Sequence, residues 1–316
     1  MSQATSHKPK VKVGITIGVP SGIGPEVAKK ALRKLKGLAD FTVIGDAAVY
    51  KKAAGEKFLD LNNIDKKKFA YGKIKAEYGK AAIEYLDKAL ELLRKREIDC
   101  LVTAPISKEA INLAGFHYSG HTEYLSKNSG SKFTVMMLLN DKLKFSLVTR
   151  HIPLSQVSAT ISGRELAKVI SLTNQSLKGL FGIKKPRIVV CGLNPHASDH
   201  GIIGKEEVEL IAPIIGKLKP HLYAIHGPIS ADVAIHEAKE GKFDAIIAMY
   251  HDQALIPLKL SDRASGVNLT LGLPFIRTSP LHGTAFDIAG KNIASADSMA
   301  AAIKLSIKCA LNQKNP

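Results

Sequence analysis

At 316 residues the chain is long for one hydrophobic core, so one large or two medium domains are expected. Hydrophobic residues make up 45% and charged residues 23%, an ordinary globular balance, and no apolar run nears the ~18 residues that span a bilayer. The net charge of +17 raises the question of a polyanion partner, yet runs such as Lys66-Lys67-Lys68 and Arg94-Lys95-Arg96 stand beside acids such as Glu91 and Glu97. No RNP-like aromatic pattern, zinc finger or basic tail accompanies them, so neither nucleic acid nor a membrane is expected as partner. Solvated surface lysine, or a field that draws in small anions, accounts for the charge.

Met1 to Lys10 is polar and lacks the apolar stretch of an export signal. Cys100, Cys191 and Cys309 lie far apart with no CxxC, which argues against a disulfide framework or thiolate metal site. The cytoplasm is the expected compartment.

Along the chain, Val11–Ile17 is short and β-branched, a strand. A Gly/Pro turn follows from Gly18 to Gly24, and Pro25 opens a helix running to about Leu35. Phe41–Ile44 reads as a second strand. Residues 80–96 carry Ala81, Ile83, Leu86, Leu90 and Leu93 at helical spacing. Cys100–Thr103 is a strand leading into Ala104-Pro105. Phe133–Leu139 and Phe145–Thr149 flank an Asn140-Asp141 turn, a predicted β-hairpin. Helical patterns cover about 163–179 and 205–217. Further strands are predicted at Arg187–Cys191, Leu222–Ile225 and Ala245–Met249. Strands alternating with helices imply an α/β fold with a largely parallel sheet, whose carboxyl-end loops gather the ligand site.

A dinucleotide fingerprint has to be tested at Gly22-Ile23-Gly24-Pro25-Glu26-Val27. The third glycine is missing, and Pro25 removes an N–H from the turn that would cradle a pyrophosphate. A tight turn packing helix against strand is the stronger reading.

Three histidines share one context. His151, His196 and His251 each follow an apolar strand, and in such a sheet these positions converge on one rim. Three imidazoles with an open position are a common way to hold a catalytic divalent ion. Asp252 and Asp232 could orient the rings or act as bases. For any one of the three alone, a hydrogen-bonded loop residue is the plainer reading. His7, His117, His200, His221, His226 and His236 are left as structural or surface groups.

A second constellation suits an anion. Gly120-His121-Thr122-Glu123 sits at an expected helix start, where free N–H groups favour phosphate. Lys259, Asn268 and Arg277 could add charge-assisted bonds, although each cation alone reads first as surface charge.

With these residues in hand, the chain resembles the 4-hydroxythreonine-4-phosphate dehydrogenase family of vitamin B6 biosynthesis. The matching segments are Gly18-Val-Pro-Ser-Gly-Ile-Gly-Pro-Glu26, Gly120-His-Thr-Glu123, Thr149-Arg-His-Ile-Pro153, Gly192-Leu-Asn-Pro-His-Ala197, Tyr250-His-Asp-Gln-Ala254, Thr278-Ser279 and His282-Gly-Thr-Ala-Phe-Asp-Ile-Ala-Gly290. The resemblance covers nearly the whole chain, from Gly14 to about Ile303. The resemblance implies the two-domain α/β/α fold of isocitrate and isopropylmalate dehydrogenases, not a Rossmann fold. It places residues 1–130 with 285–316 in a first domain. Residues 131–284 form a second, with the metal ligands and dimer interface, and the active site lies in the cleft between. It further implies that His151, His196 and His251 ligate one divalent metal (Zn, Mg or Co), one of them from the partner subunit of a homodimer. His121, Thr122, Lys259, Asn268 and Arg277 match its substrate contacts.

The stretch from His282 to Asn292 resembles the loop that grips the cofactor's adenosine half, with His282, Gly283, Thr284, Ala285, Asp287 and Asn292 as contacts. A carboxylate at Asp287 favours NAD over NADP by repelling a 2′-phosphate, with NADP kept as a second option. The implied reaction is NAD-linked oxidation of 4-phosphooxy-L-threonine at its C3 hydroxyl to 2-amino-3-oxo-4-phosphooxybutanoate. Decarboxylation to 3-amino-2-oxopropyl phosphate follows, with Asp252 as the nominated base. Two departures matter. Val19 and Leu281 stand where the family has Asp, and Ser198-Asp199-His200 replaces a Gly-rich continuation. They leave room for a sister dehydrogenase acting on a phosphothreonate. A non-catalytic phosphate- or nucleic-acid-binding protein is the rival from another class.

Overall fold

A computed structural model describes residues 10–52, 55–262 and 264–314. The polar stretch before Lys10, with His7, lies outside the described residues. The strands are β1 (Lys12–Thr16), β2 (Asp40–Gly45), β3 (Glu56–Asp60), β4 (Cys100–Thr103), β5 (Val135–Leu139), β6 (Lys144–Leu147), β7 (Arg187–Cys191), β8 (Ala224–Ile229), β9 (Ala245–Ala248), β10 (Val267–Leu271) and β11 (Ile276–Pro280). The helices are α1 (Gly24–Lys34), α2 (Ala76–Arg94), α3 (Lys108–Leu113), α4 (His121–Ser129), the single turn α5 (Val157–Thr160), α6 (Gly163–Gly179), α7 (Ala212–Leu218), α8 (Ala231–Lys239), α9 (His251–Ser261) and α10 (Asp297–Lys314).

The chain folds as two compact units, Met1–Lys132 with Leu273–Leu311, and Phe133–Gly272 with Asn312–Pro316. Residues 273–284, which the sequence reading grouped with the second domain, belong to the first. The reason is β11, which pairs in parallel with β4 through Ile276, Arg277 and Thr278.

The first unit is organised on strands in the order β3-β2-β1-β4-β11, all parallel. Strands covered on both faces read as continuous apolar runs, and four of the five β1 residues are buried. At the end of β1 the Gly/Pro turn does the packing work expected of it. Gly18 has φ +71°, and a Cβ there would come within 2.2 Å of the Pro105 carbonyl oxygen. A Cβ on Gly24 would meet the Ile17 oxygen at 2.1 Å. Pro25 occupies the first turn of α1, where its missing N–H costs nothing. Ala81, Ile83, Leu86 and Leu90 of α2 are buried, each large aliphatic contributing roughly 1.5–3 kcal/mol.

The second unit orders its strands β10-β5-β6-β9-β7-β8. The predicted hairpin is present: β5 and β6 are antiparallel, and the Asn140 side chain accepts from the Lys142 and Leu143 amides at 2.9 Å each. From β6 onward the neighbours are parallel: β6 with β9, β9 with β7, and β7 with β8. Ser162 caps α6 by accepting from the Glu165 amide at 3.2 Å, worth about 1 kcal/mol. The helical pattern at 205–217 is realised in two pieces, a π-helical turn Glu207–Ile211 and then α7. Pro213 has no N–H to donate, and the ladder is reset just before it.

Candidate active site

In the first unit Arg277 sits mid-strand on β11, 2% exposed. Its Nη2 and Nε donate to the hydroxyl of Thr103, at the end of β4, over 2.6 and 3.1 Å. Burial lowers the guanidinium pKa to about 10, against the opposing pull of Glu123, so Arg277 stays charged at neutral pH. His121 opens α4 behind Gly120. Burial first and the Arg277 charge second push its pKa well below the ordinary value, against a backbone hydrogen bond to Ala104. The ring is therefore neutral, and its Nε2 is buried without a partner. Thr122 beside it is buried. A fixed cation, an unpaired imidazole nitrogen and a helix start thus lie close together, and such a set fits phosphate or carboxylate. Thr103 has no assigned role in the sequence pattern; the Thr103-Ala-Pro105 sequence at the end of β4 was the available signal.

The loop after β11 is tied to its own unit from several sides. The Thr284 oxygen accepts from the Ile23 amide at 3.0 Å, and the Asn292 oxygen from Lys30 Nζ at 2.9 Å. Ala294 donates to Glu26 at 2.8 Å, and Glu26 also pairs with Lys30. Ala285 and Asn292 have φ of 42° and 57°, marking tight turns. His282 faces the Gly283 oxygen through Nδ1 at 3.1 Å, and burial lowers its pKa while Nε2 stays unpartnered. Asp287 and Gly283 are exposed. A carboxylate held out on a braced loop suits recognition of a ribose hydroxyl.

In the second unit the three histidines follow three adjacent parallel strands, β6, β9 and β7. The His151 and His251 rings stand 5.4 Å apart between centroids and tilted by 50°. His251, first residue of α9, meets the Asp252 carboxylate through Nδ1 at 2.6 Å. His196 begins a run of five residues, His196 to His200, with φ between 45° and 68°. A left-handed turn of L-residues costs roughly 1–2 kcal/mol per residue, so the surroundings must hold it. His196 contributes to lowering the pKa of Asp232, whose largest stabiliser is the Ser230 hydroxyl. The structure therefore brings His151 and His251 together and sets His196 near Asp232. Among the described residues no group of three or more His, Cys, Asp or Glu is placed to hold a metal ion. Asn268 is half-buried on β10 with an unpartnered buried Oδ1, and Lys259 is exposed on α9. A surface cavity of about 520 Å³ lined by Asn63, Glu84, Asp87, Lys88 and Glu91 contains none of these residues.

Compared with known proteins, the fold is that of the isocitrate dehydrogenases. Isocitrate dehydrogenase from Methylococcus capsulatus superposes with a TM-score of 0.50 at 15% identity, over 96% of this chain and 87% of that one. A crystal structure of 4-hydroxythreonine-4-phosphate dehydrogenase from Klebsiella pneumoniae superposes with a TM-score of 0.88 at 34% identity, covering 96% and 99%. Residues 23–306 match the family described as pyridoxal phosphate biosynthetic protein PdxA. The 4-hydroxythreonine-4-phosphate dehydrogenase of Sulfurihydrogenibium sp. is 43% identical over 94% of this chain and 98% of its own. The D-threonate 4-phosphate dehydrogenase of Salmonella typhimurium is 39% identical over 94% and 98%.

Fold and relatives together define an oxidoreductase with an isocitrate dehydrogenase-like fold, as the family resemblance implied. The chain belongs to the PdxA family of pyridoxal phosphate biosynthetic proteins. A non-catalytic binding protein is thereby set aside.

Proposed function

We propose that the protein oxidises the C3 hydroxyl of 4-phosphooxy-L-threonine with NAD, giving 2-amino-3-oxo-4-phosphooxybutanoate, which then loses CO₂ to 3-amino-2-oxopropyl phosphate. The observation that carries this reading is the buried Arg277 beside the unpartnered Nε2 of His121, a permanent cation and a ring nitrogen ready for a phosphorylated acid. Thr122, Lys259 and Asn268 complete the proposed substrate contacts. In the oxidation the alcohol loses its proton and a hydride passes from C3 to the nicotinamide.

His151, His196 and His251 are the proposed ligands of one divalent ion (Zn, Mg or Co). Neutral imidazoles suit such an ion, and the ring contact of His151 with His251 supports the assignment, with a homodimer partner supplying one ligand. When bound, the ion supplies Lewis-acid stabilisation of charge on the alcohol oxygen. Asp252 fixes the His251 ring through Nδ1, leaving Nε2 free, and is the nominated proton acceptor. Exposed Leu154, Ile202, Val208, Ile256 and Leu260 of the second unit support the homodimer. His282 to Asn292, with Asp287 at the ribose, is the proposed NAD loop, NADP being the weaker cofactor. No helix among the described residues is long and apolar enough to cross a membrane, and the three free cysteines are buried. A cytoplasmic site of action is proposed.

The second reading, a dehydrogenase of D-threonate 4-phosphate, is favoured by the Salmonella relative and by the departures at Val19, Leu281 and Ser198 to His200. Absorbance at 340 nm decides between them, with each substrate offered alongside NAD and Zn²⁺, Mg²⁺ or Co²⁺. Turnover of 4-phosphooxy-L-threonine that stops with a chelator is expected. Turnover of the threonate alone would transfer the assignment to the sister activity.

A further inference from the structure

Behind the exposed histidines lies a set of buried polar side chains that joins the three loops. Gln253, two residues after His251 and buried, accepts the Met249 amide at 2.7 Å through Oε1. Its Nε2 donates to the Gly192 oxygen at 2.9 Å, at the start of the loop that carries His196. Thr149, two residues before His151, gives its amide and its hydroxyl to the Met249 oxygen at 3.1 and 2.7 Å. Met249 is thus the node where the ends of β6 and β9 meet, and Gln253 extends the node to β7.

The other side of the His196 loop is clamped by Glu207, a carboxylate 1% exposed in the π-helical turn. Its Oε1 accepts the Leu193 and Asn194 amides at 2.7 Å each, and Oε2 accepts Asn194 Nδ2 at 2.9 Å. The left-handed run begins two residues further on, and a Cβ on Gly192 would come within 3.1 Å of Glu207 Oε1. The Gln253 and Thr149 bonds are buried and the Glu207 bonds part-buried, so they are expensive to leave unmade.

We infer that Gln253 and Glu207 are positioning residues, fixing the His196 loop relative to His151 and His251. The inference rests on the proposed metal reading for its consequence, but not for its geometry. It predicts that the loop is held in place before any ion binds.

Two measurements test it on the full-length protein. One is binding of Co²⁺ alone, followed by calorimetry and by the ion's visible absorption. The other is amide hydrogen exchange of the metal-free protein. Gln253→Met keeps the side chain's length and removes both bonds. It is expected to weaken Co²⁺ binding about 10- to 100-fold and to speed exchange across 192–201 by at least about tenfold, leaving β1 and β2 unchanged. Glu207→Gln, which retains an acceptor for the two amides, should keep exchange at Leu193 and Asn194 within about threefold of wild type, whereas Glu207→Met should not. Co²⁺ affinity and loop exchange both within about twofold of wild type in Gln253→Met would overturn the inference. If wild type and His251→Ala bind Co²⁺ alike, the metal reading fails by itself. Faster loop exchange in Gln253→Met would then still support the positioning role, and unchanged exchange would still overturn it.

Discussion

Arg277 of the first unit is 2% exposed and fixed to Thr103 by two hydrogen bonds, whereas His151 and His196 of the second stand exposed on loops. The proposed anion site is built inside its own unit: a buried cation, a half-buried imidazole and a buried threonine, all set by neighbouring strand ends and one helix start. The histidine region leaves its reactive groups at the surface and buries only what stands behind them. A pocket of the first kind carries stability and binding in the same residues. One of the second kind separates them, as the proposed ligand set completed by a partner subunit would require.

The sharpest way to break this comparison is to remove one residue from each side. Arg277→Ala leaves a cavity and an unpaired Thr103 hydroxyl, so it should lose more than about 2 kcal/mol of stability. The loss of charge-assisted bonds to substrate, about 1.5–3 kcal/mol each, should cut kcat/KM by 10²-fold or more. His151→Ala and His196→Ala should abolish turnover while unfolding free energies stay within about 0.5 kcal/mol of wild type. Denaturant melts beside the 340 nm assay give both numbers. A stable, inactive Arg277→Ala, or an unfolded His151→Ala, would reverse the assignment of roles.

Next in size is recovery by mixing. Inactive His196→Ala and His251→Ala proteins, once subunits have exchanged, should regain at most about a quarter of wild-type activity, because half the dimers are mixed and each mixed dimer rebuilds one site. Exchange without recovery would place all three ligands in one chain, since His151 and His251 already stand together in it.

How far the two regions were legible in sequence differs for the same physical reason. The strand-then-histidine pattern exposed the second region, because apolar runs of four or five residues ending in a polar loop are strong local signals. Strands β6, β7 and β9 fell where expected, and their adjacency brought the loops together. The left-handed run from His196 to His200 gave no signal, since five non-glycine residues rarely adopt positive φ. In the first unit the turn at Gly18–Gly24, α1 and α2 were readable from glycine, proline and helical spacing. The strand β11 was not: Ile276-Arg-Thr-Ser-Pro280 carries no apolar run, and Arg277 reads as surface charge, although it is among the most buried side chains. The short β3, the strand β10 and the terminal α10 were also unread. β3 is polar at an edge, and no stop or start signal as strong as Pro25 marks α10.

A smaller effect is expected at the cofactor loop. Asp287 is exposed on a segment braced by Ile23 and Lys30, so in the proposed cofactor loop its charge would meet whatever the adenosine ribose carries. Asp287→Ser should narrow the preference for NAD over NADP by about tenfold to a hundredfold, the worth of one charge-assisted bond. Equal use of both cofactors by the unmodified enzyme, unchanged in the variant, would remove Asp287 from the ribose.

The smallest effect sharpens the comparison through pH. Burial holds the pKa of His121 well below 6.5, the value the group takes in an unfolded chain, and lowers that of His282 in the same direction. Above pH 6.5 both rings are neutral in both states and contribute no pH dependence. Below it the unfolded chain takes up protons that the folded chain refuses, so stability falls as pH falls. Melting temperatures should therefore decline between pH 7 and pH 5, and His121→Gln, which cannot titrate, should flatten that decline. Inorganic phosphate adds a discriminating arm. A phosphate beside Arg277 would offset the charge that, after burial, most disfavours protonated His121, so it should restore part of the acid stability of wild type and less in the variant. An identical decline in His121→Gln, with phosphate acting equally on both proteins, would show that the ring of His121 does not face the anion.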